Sequence, residues 1–177
     1  EGTFLRAYAY IKLIRDYGGV PLVKEPVDLN SNFNVDRSSY DACAAFISDE
    51  LDKAATMLPL DQSGANLGRI TKAAALALKS RTLLYAASPQ WNPSNDLTKW
   101  KKASDAAKAV IDLNAFQLYT GNYADLFTTT NSEIIAVRLS SKVPQWSAFN
   151  GVEMFNSPSG FHGWASFAPS QNLIDAF

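Results

Sequence analysis

Gly68-Arg69-Ile70-Thr71-Lys72-Ala73-Ala74-Ala75-Leu76-Ala77-Leu78-Lys79-Ser80-Arg81, running on to Leu83-Leu84-Tyr85-Ala86-Ala87-Ser88-Pro89, decides the fold. Thr71 stands where a helix N-cap belongs, Pro89 follows the last helical residues, and no glycine or proline interrupts the span between them. A helix over 72–87 follows. Its small side chains at Ala73, Ala74, Ala75, Ala77, Ser80 and Ala86 let neighbouring helices come close, which predicts a central place in the packing.

Three more helices flank it. Residues 3–17 put Phe4, Tyr8, Ile11 and Arg15 on one face, with Ala7 and Ile14 alongside. Gly18-Gly19-Val20-Pro21 stops that helix, because glycine accepts the left-handed conformation and proline cannot continue the coil. Residues 40–58 place Tyr40, Ala44, Ile47, Leu51, Ala54 and Leu58 in a buried stripe, with Ser38 as expected N-cap, acidic Asp41 in the first turn and Pro59 as terminator. Residues 97–113 are expected to bury Trp100, Ala103, Ala107, Val110 and Ile111, with Asn114 as a left-handed cap. The helix starts recur every 26 to 37 residues, roughly the period of tetratricopeptide (TPR) arrays. The predicted class is mainly α: TPR-like helix-turn-helix pairs with an irregular, loop-rich ligand-binding segment.

After Asn114 the character changes. Residues 121–127 suit one helical turn, and the β-branched run Glu133-Ile134-Ile135-Ala136-Val137-Arg138-Leu139 predicts a short strand. From 140 to 169 the chain is irregular and dense in glycine, serine, proline and aromatic rings. The chain therefore reads as one segment, 1–177, with a helical-repeat scaffold over 1–114 and an irregular aromatic-rich region over 115–177.

Composition removes several functions. The 177 residues are 47% hydrophobic and 19% charged, which fits a folded segment and excludes a disordered tail. With 16 basic and 17 acidic residues the net charge is -1, and no basic stripe is available for phosphate neutralisation, so a nucleic-acid partner is not expected. No apolar run is long enough for a transmembrane helix. Cys43, the single cysteine, sits among Ala42, Ala44, Ala45 and Phe46 and reads as a small buried hydrophobe. No signal peptide shows at the start, and both ends read as cuts through a larger protein.

Catalytic and metal motifs fail on their chemistry. His162 is the one histidine, which with Cys43 gives too few ligands for zinc and no nucleophile elbow for a triad. Asp28, Asn30, Asn32, Asn34 and Asp36 alternate like a calcium loop, but Phe33 and Ser39 occupy the positions of the required glycine and glutamate, which leaves a solvated connector as the expectation and a weak calcium site as the alternative. The 64–72 stretch has the wrong glycine spacing for a phosphate loop and reads as a turn into a helix. Asp49 and Glu50 point in different directions on one helix, and Asp125, Glu133, Glu153 and Asp175 are isolated, so surface solvation is their expected state and no glycosidase pair emerges. No metal or cofactor is expected.

The aromatic residues carry more. Trp146, Phe155, His162 and Trp164, interleaved with Asn150 and Asn156, combine flat apolar rings with amide partners. That combination suits sugar rings, whose C–H faces stack while hydroxyls seek hydrogen bonds. Trp91, in Ser88-Pro89-Gln90-Trp91-Asn92-Pro93, is a further candidate. Rings in loops also plug the edges of helical cores, and that bland alternative stands beside the binding one for each.

These residues together resemble the SusD/RagB family. The resemblance is carried by Arg6-Ala7-Tyr8 through Arg15-Asp16-Tyr17-Gly18-Gly19-Val20-Pro21-Leu22-Val23, by Val35-Asp36-Arg37-Ser38-Ser39 with the helix ending at Leu58-Pro59, and by the alanine-rich stretch. Glu133-Ile134-Ile135 and Pro169-Ser170-Gln171-Asn172-Leu173-Ile174-Asp175-Ala176-Phe177 follow in the family's order. The resemblance implies a non-enzymatic, lipid-anchored protein on the outer-membrane exterior of Bacteroidota. Such a protein hands oligosaccharides, or in some members peptides, to a SusC-like TonB-dependent transporter. The implied anchor lies outside this sequence. Two alternatives remain at this stage: a helical-repeat scaffold that binds a protein, and a glycoside hydrolase.

Overall fold

The computed structural model describes residues 1–26, 35–139, 160 and 170–176. The chain divides into two compact units, 1–138 and 139–177, each considered by itself. In the first unit α1 (Gly2–Tyr17), α2 (Tyr40–Met57), α3 (Lys72–Ala87) and α4 (Leu97–Ile111) are the four long helices, followed by the single turn α5 (Asp125–Thr128). The second unit contains the turn α6 (Gln171–Ile174). Among the described residues there is no strand.

Packing proceeds in chain order. α1 lies on α2, α2 on α3, and α3 on α4. α3 therefore touches a helix on either side, as its alanines foretold. Ala73, Ala75 and Ala87 are fully buried, and Ala74 and Ala86 nearly so. Close approach at such positions replaces side-chain interdigitation with backbone-to-backbone proximity, so a larger residue there meets a packed neighbour. The bulk of the core comes from α2: Ile47 and Leu51 are both 0% exposed. Each such side chain contributes about 1.5–3 kcal/mol through burial.

Side-chain caps set the helix starts. Thr71 Oγ1 accepts from the Ala74 N–H at 3.1 Å, as expected. At α2 the cap is Ser39, one residue later than the sequence indicated, with its Oγ accepting from the Ala42 N–H at 3.1 Å. Ser38 is held otherwise: its N–H donates to the Val20 carbonyl at 3.1 Å. Asp96 caps α4 through the Thr98 N–H at 2.8 Å. That bond, first among the causes, holds the Asp96 carboxyl below its ordinary range.

The end of α1 shows why the Gly18-Gly19 pair stands there. Gly18 has φ +72°, a region that costs an L side chain dearly, and its N–H closes the helix onto the Ile14 carbonyl at 3.0 Å. Gly19 answers a different need. A Cβ at that position would lie 2.1 Å from the Ser38 carbonyl oxygen, so the chain after α1 and the chain before α2 touch backbone to backbone. Arg37 secures the junction by donating to the Gly19 carbonyl at 2.8 Å and the Tyr17 carbonyl at 2.5 Å.

Three readings of the sequence need correction. The buried face of α1 is Phe4, Ala7, Tyr10 and Ile14, whereas Tyr8 is 41% exposed and Arg15 exposed. Tyr10 wins the core because its hydroxyl has a partner there, accepting from the Val23 N–H at 2.8 Å. On α4 the buried residues are Ala103 and Ala106, while Trp100 and Ile111 are 37% and 72% exposed. The 133–139 run is irregular: a strand needs a ladder, and among the described residues only the backbone bond from the Gln117 N–H to the Ser132 carbonyl at 3.2 Å reaches this stretch from another segment. The cap at Asn114 holds, with φ +51°, and so does the helical turn near 125.

Candidate functional site

Of the candidate ligand-binding residues, Trp146, Asn150, Phe155, Asn156, His162 and Trp164 lie outside the described residues. So do Asp28, Asn30, Asn32 and Asn34 of the calcium-like run. Among the described residues no group of three or more His, Cys, Asp or Glu side chains could hold a metal ion.

Trp91 is described, and its surroundings are those of a packing residue. Its ring lies flat on Tyr40, with centroids 4.0 Å apart and planes within 3°. A Cβ at Gly18 would come within 3.1 Å of the indole, so the bare glycine makes room for the ring edge. Burial, with Asp41 next, pushes the Tyr40 hydroxyl above its ordinary range. The turn carrying Trp91 is bolted down as well. Lys99 Nζ donates to the Trp91 carbonyl at 2.8 Å and to Asp41 Oδ1 at 2.7 Å. Asn92, 4% exposed, is satisfied on both sides of its amide. Its Oδ1 accepts from the Asp96 N–H at 2.7 Å, and its Nδ2 donates to the Asp96 carbonyl at 3.1 Å. One face of Trp91 is thus spent on joining the α3–α4 turn to the start of α2.

Surface solvation was the expectation for Glu50, and the structure corrects it by burying the carboxylate. Its side chain is 2% exposed and accepts from Arg6 Nε at 2.8 Å, from Arg6 Nη2, and from Lys53 Nζ at 3.1 Å. Burial alone would raise its carboxyl; the hydrogen bonds from Arg6 and Lys53 outweigh it, and the net shift is downward. The pair clamps α1 to α2, and Arg6 also reaches the Lys24 carbonyl at 3.3 Å. Asp49, one residue earlier, faces solvent, so these two carboxylates serve different faces as expected. The local pattern did not show the burial of Glu50, because the Arg6 partner lies 44 residues away. Glu133 is likewise occupied, accepting the Tyr119 N–H at 2.8 Å, where surface solvation was expected. The Cys43 thiol is fully buried and donates to the Val20 carbonyl at 3.4 Å, an environment for packing and not for reaction.

A groove of about 630 Å³ runs between α2 and α4 over α3. Its floor is alanine, from Ala44, Ala86 and Ala106. Two lysines span it: Lys79 reaches Asp52 Oδ2 at 2.6 Å and Lys99 reaches Asp41 Oδ1 at 2.7 Å. The described part of the chain is therefore a set of stacked helix pairs with a shallow polar-edged groove and internally paired charges.

Comparison with known proteins extends this. The family described as SusD-like, starch-binding and associating with the outer membrane matches residues 1–84. A SusD-like protein from Bacteroides fragilis is 30% identical over 99% of this chain and 34% of its own, with a TM-score of 0.77. A SusD-like carbohydrate-binding protein from the same species is 25% identical over 98% of this chain and 32% of its own, with a TM-score of 0.75. A laminarin-binding SusD-like protein is 28% identical over 77% of this chain and 29% of its own, with a TM-score of 0.59. No curated protein matches the sequence. The chain is similar to SusD-like proteins, in sequence over residues 1–84 and in fold over nearly its whole length. It spans about a third of the length of these solved relatives.

Proposed function

We propose that this chain is part of a cell-surface glycan-binding protein that captures oligosaccharides at the outer membrane without chemically altering them. The observation that carries the reading is the agreement of two independent matches: the family pattern over residues 1–84, and a fold shared with a carbohydrate-binding relative over nearly the whole chain. The laminarin-binding relative supports a neutral glucan as ligand class. In this reading the helices of 1–114 form the frame and the aromatic-rich 115–177 region supplies the grip. Trp146, Phe155 and Trp164 stack on sugar faces, while Asn150, Asn156 and His162 hydrogen-bond to hydroxyls. The ligand then passes to a SusC-like TonB-dependent transporter, with the protein held at the surface by a lipid anchor.

Electrophoresis through gels containing laminarin, starch or no polysaccharide tests the ligand class. Retardation in a glucan gel without release of reducing sugar is the expected result. Mobility unchanged in every polysaccharide tried would remove the reading, and released sugar would replace it with a hydrolase.

A further inference from the structure

We draw no further inference here: the strongest candidate, the alanine-floored groove between α2 and α4 over α3, has its spanning lysines paired with Asp41 and Asp52, and nothing in the structure shows what covers it.

Discussion

Replacing Arg6 with alanine leaves Glu50 in the wall between α1 and α2 with Lys53 as its remaining cation. Breaking a buried ion pair by removing one partner costs about 3–5 kcal/mol when the orphaned charge has no other support. Here Lys53 Nζ stays 3.1 Å from Oε1, and the Arg6 side chain was itself 43% exposed, so water screens part of the lost attraction. The expected loss is therefore about 2 kcal/mol, below the lower end of that range. Urea unfolding followed by tryptophan fluorescence measures it. With a slope of about 2 kcal/mol/M the midpoint should fall by about 1 M. The pH dependence gives a second readout. In the native chain the folded Glu50 carboxyl sits below its unfolded value, so its contribution is fully present above the unfolded pKa and fades as pH falls through the folded one. Without Arg6, one of the two cations that offset burial is gone, so the folded carboxyl moves upward from its native position. The Arg6→Ala deficit should then be largest at neutral pH and shrink as the solution is acidified. A paired Arg6→Met, Glu50→Met variant, with no orphaned charge, should recover most of the loss. An Arg6→Ala midpoint equal to that of the native chain at pH 7, or a deficit independent of pH, would refute the reasoning.

Gly19→Ala should be far more damaging than Gly2→Ala, because a Cβ at 19 meets the Ser38 carbonyl and one at 2 meets nothing; circular-dichroism melting should separate the two by well over ~5 °C, a shift that corresponds to more than about 1–2 kcal/mol in a chain this size. Ala75→Leu should cost about 1–3 kcal/mol, since Ala75 is 0% exposed and overpacking a filled helix contact forces neighbours off their rotamers. Chemical denaturation of that variant beside Ala107→Leu, an exposed site on α4, should show the loss for the first alone.

How much of this was legible in the sequence depended on whether the deciding interaction was local. Helix spans were, because they are set by neighbours in the chain: Thr71 and its amide three residues on, Gly18 and Pro21 after α1, Pro59 after α2. The family's ordered motifs are themselves caps and turns, so the resemblance was legible for the same reason. The buried face of α1 was harder. Phe4, Tyr8 and Ile11 make as good a stripe as Phe4, Ala7, Tyr10 and Ile14, and only the Tyr10 hydroxyl's bond to Val23 distinguishes them. On α4 the sequence promised burial of Trp100, but its indole N–H is met by Asn95 Oδ1 at 2.9 Å near the surface, and two alanines make the contact with the core. The 133–139 run has no partner strand among the described residues, and no local pattern can supply one. Glu50 was invisible because a carboxylate in a helix reads as solvated until its distant cation is known. Of the candidate site, the sequence offered ring chemistry; for Trp91 the structure adds Tyr40 beneath it and Gly18 at its edge.

The proposed function rests on Trp146 and Trp164 stacking on a neutral sugar. Calorimetric titration of the protein with laminarin and starch oligosaccharides tests it most directly, comparing native protein with Trp146→Ala, Trp164→Ala and, as a control on the scaffold, Trp100→Phe. An exposed ring that stacks on a ligand is worth upward of about 1 kcal/mol. The account predicts that one or both loop variants weaken binding by about tenfold, with unfolding midpoints unchanged and the Trp100→Phe affinity equal to native. Native-like affinity in both loop variants would contradict it.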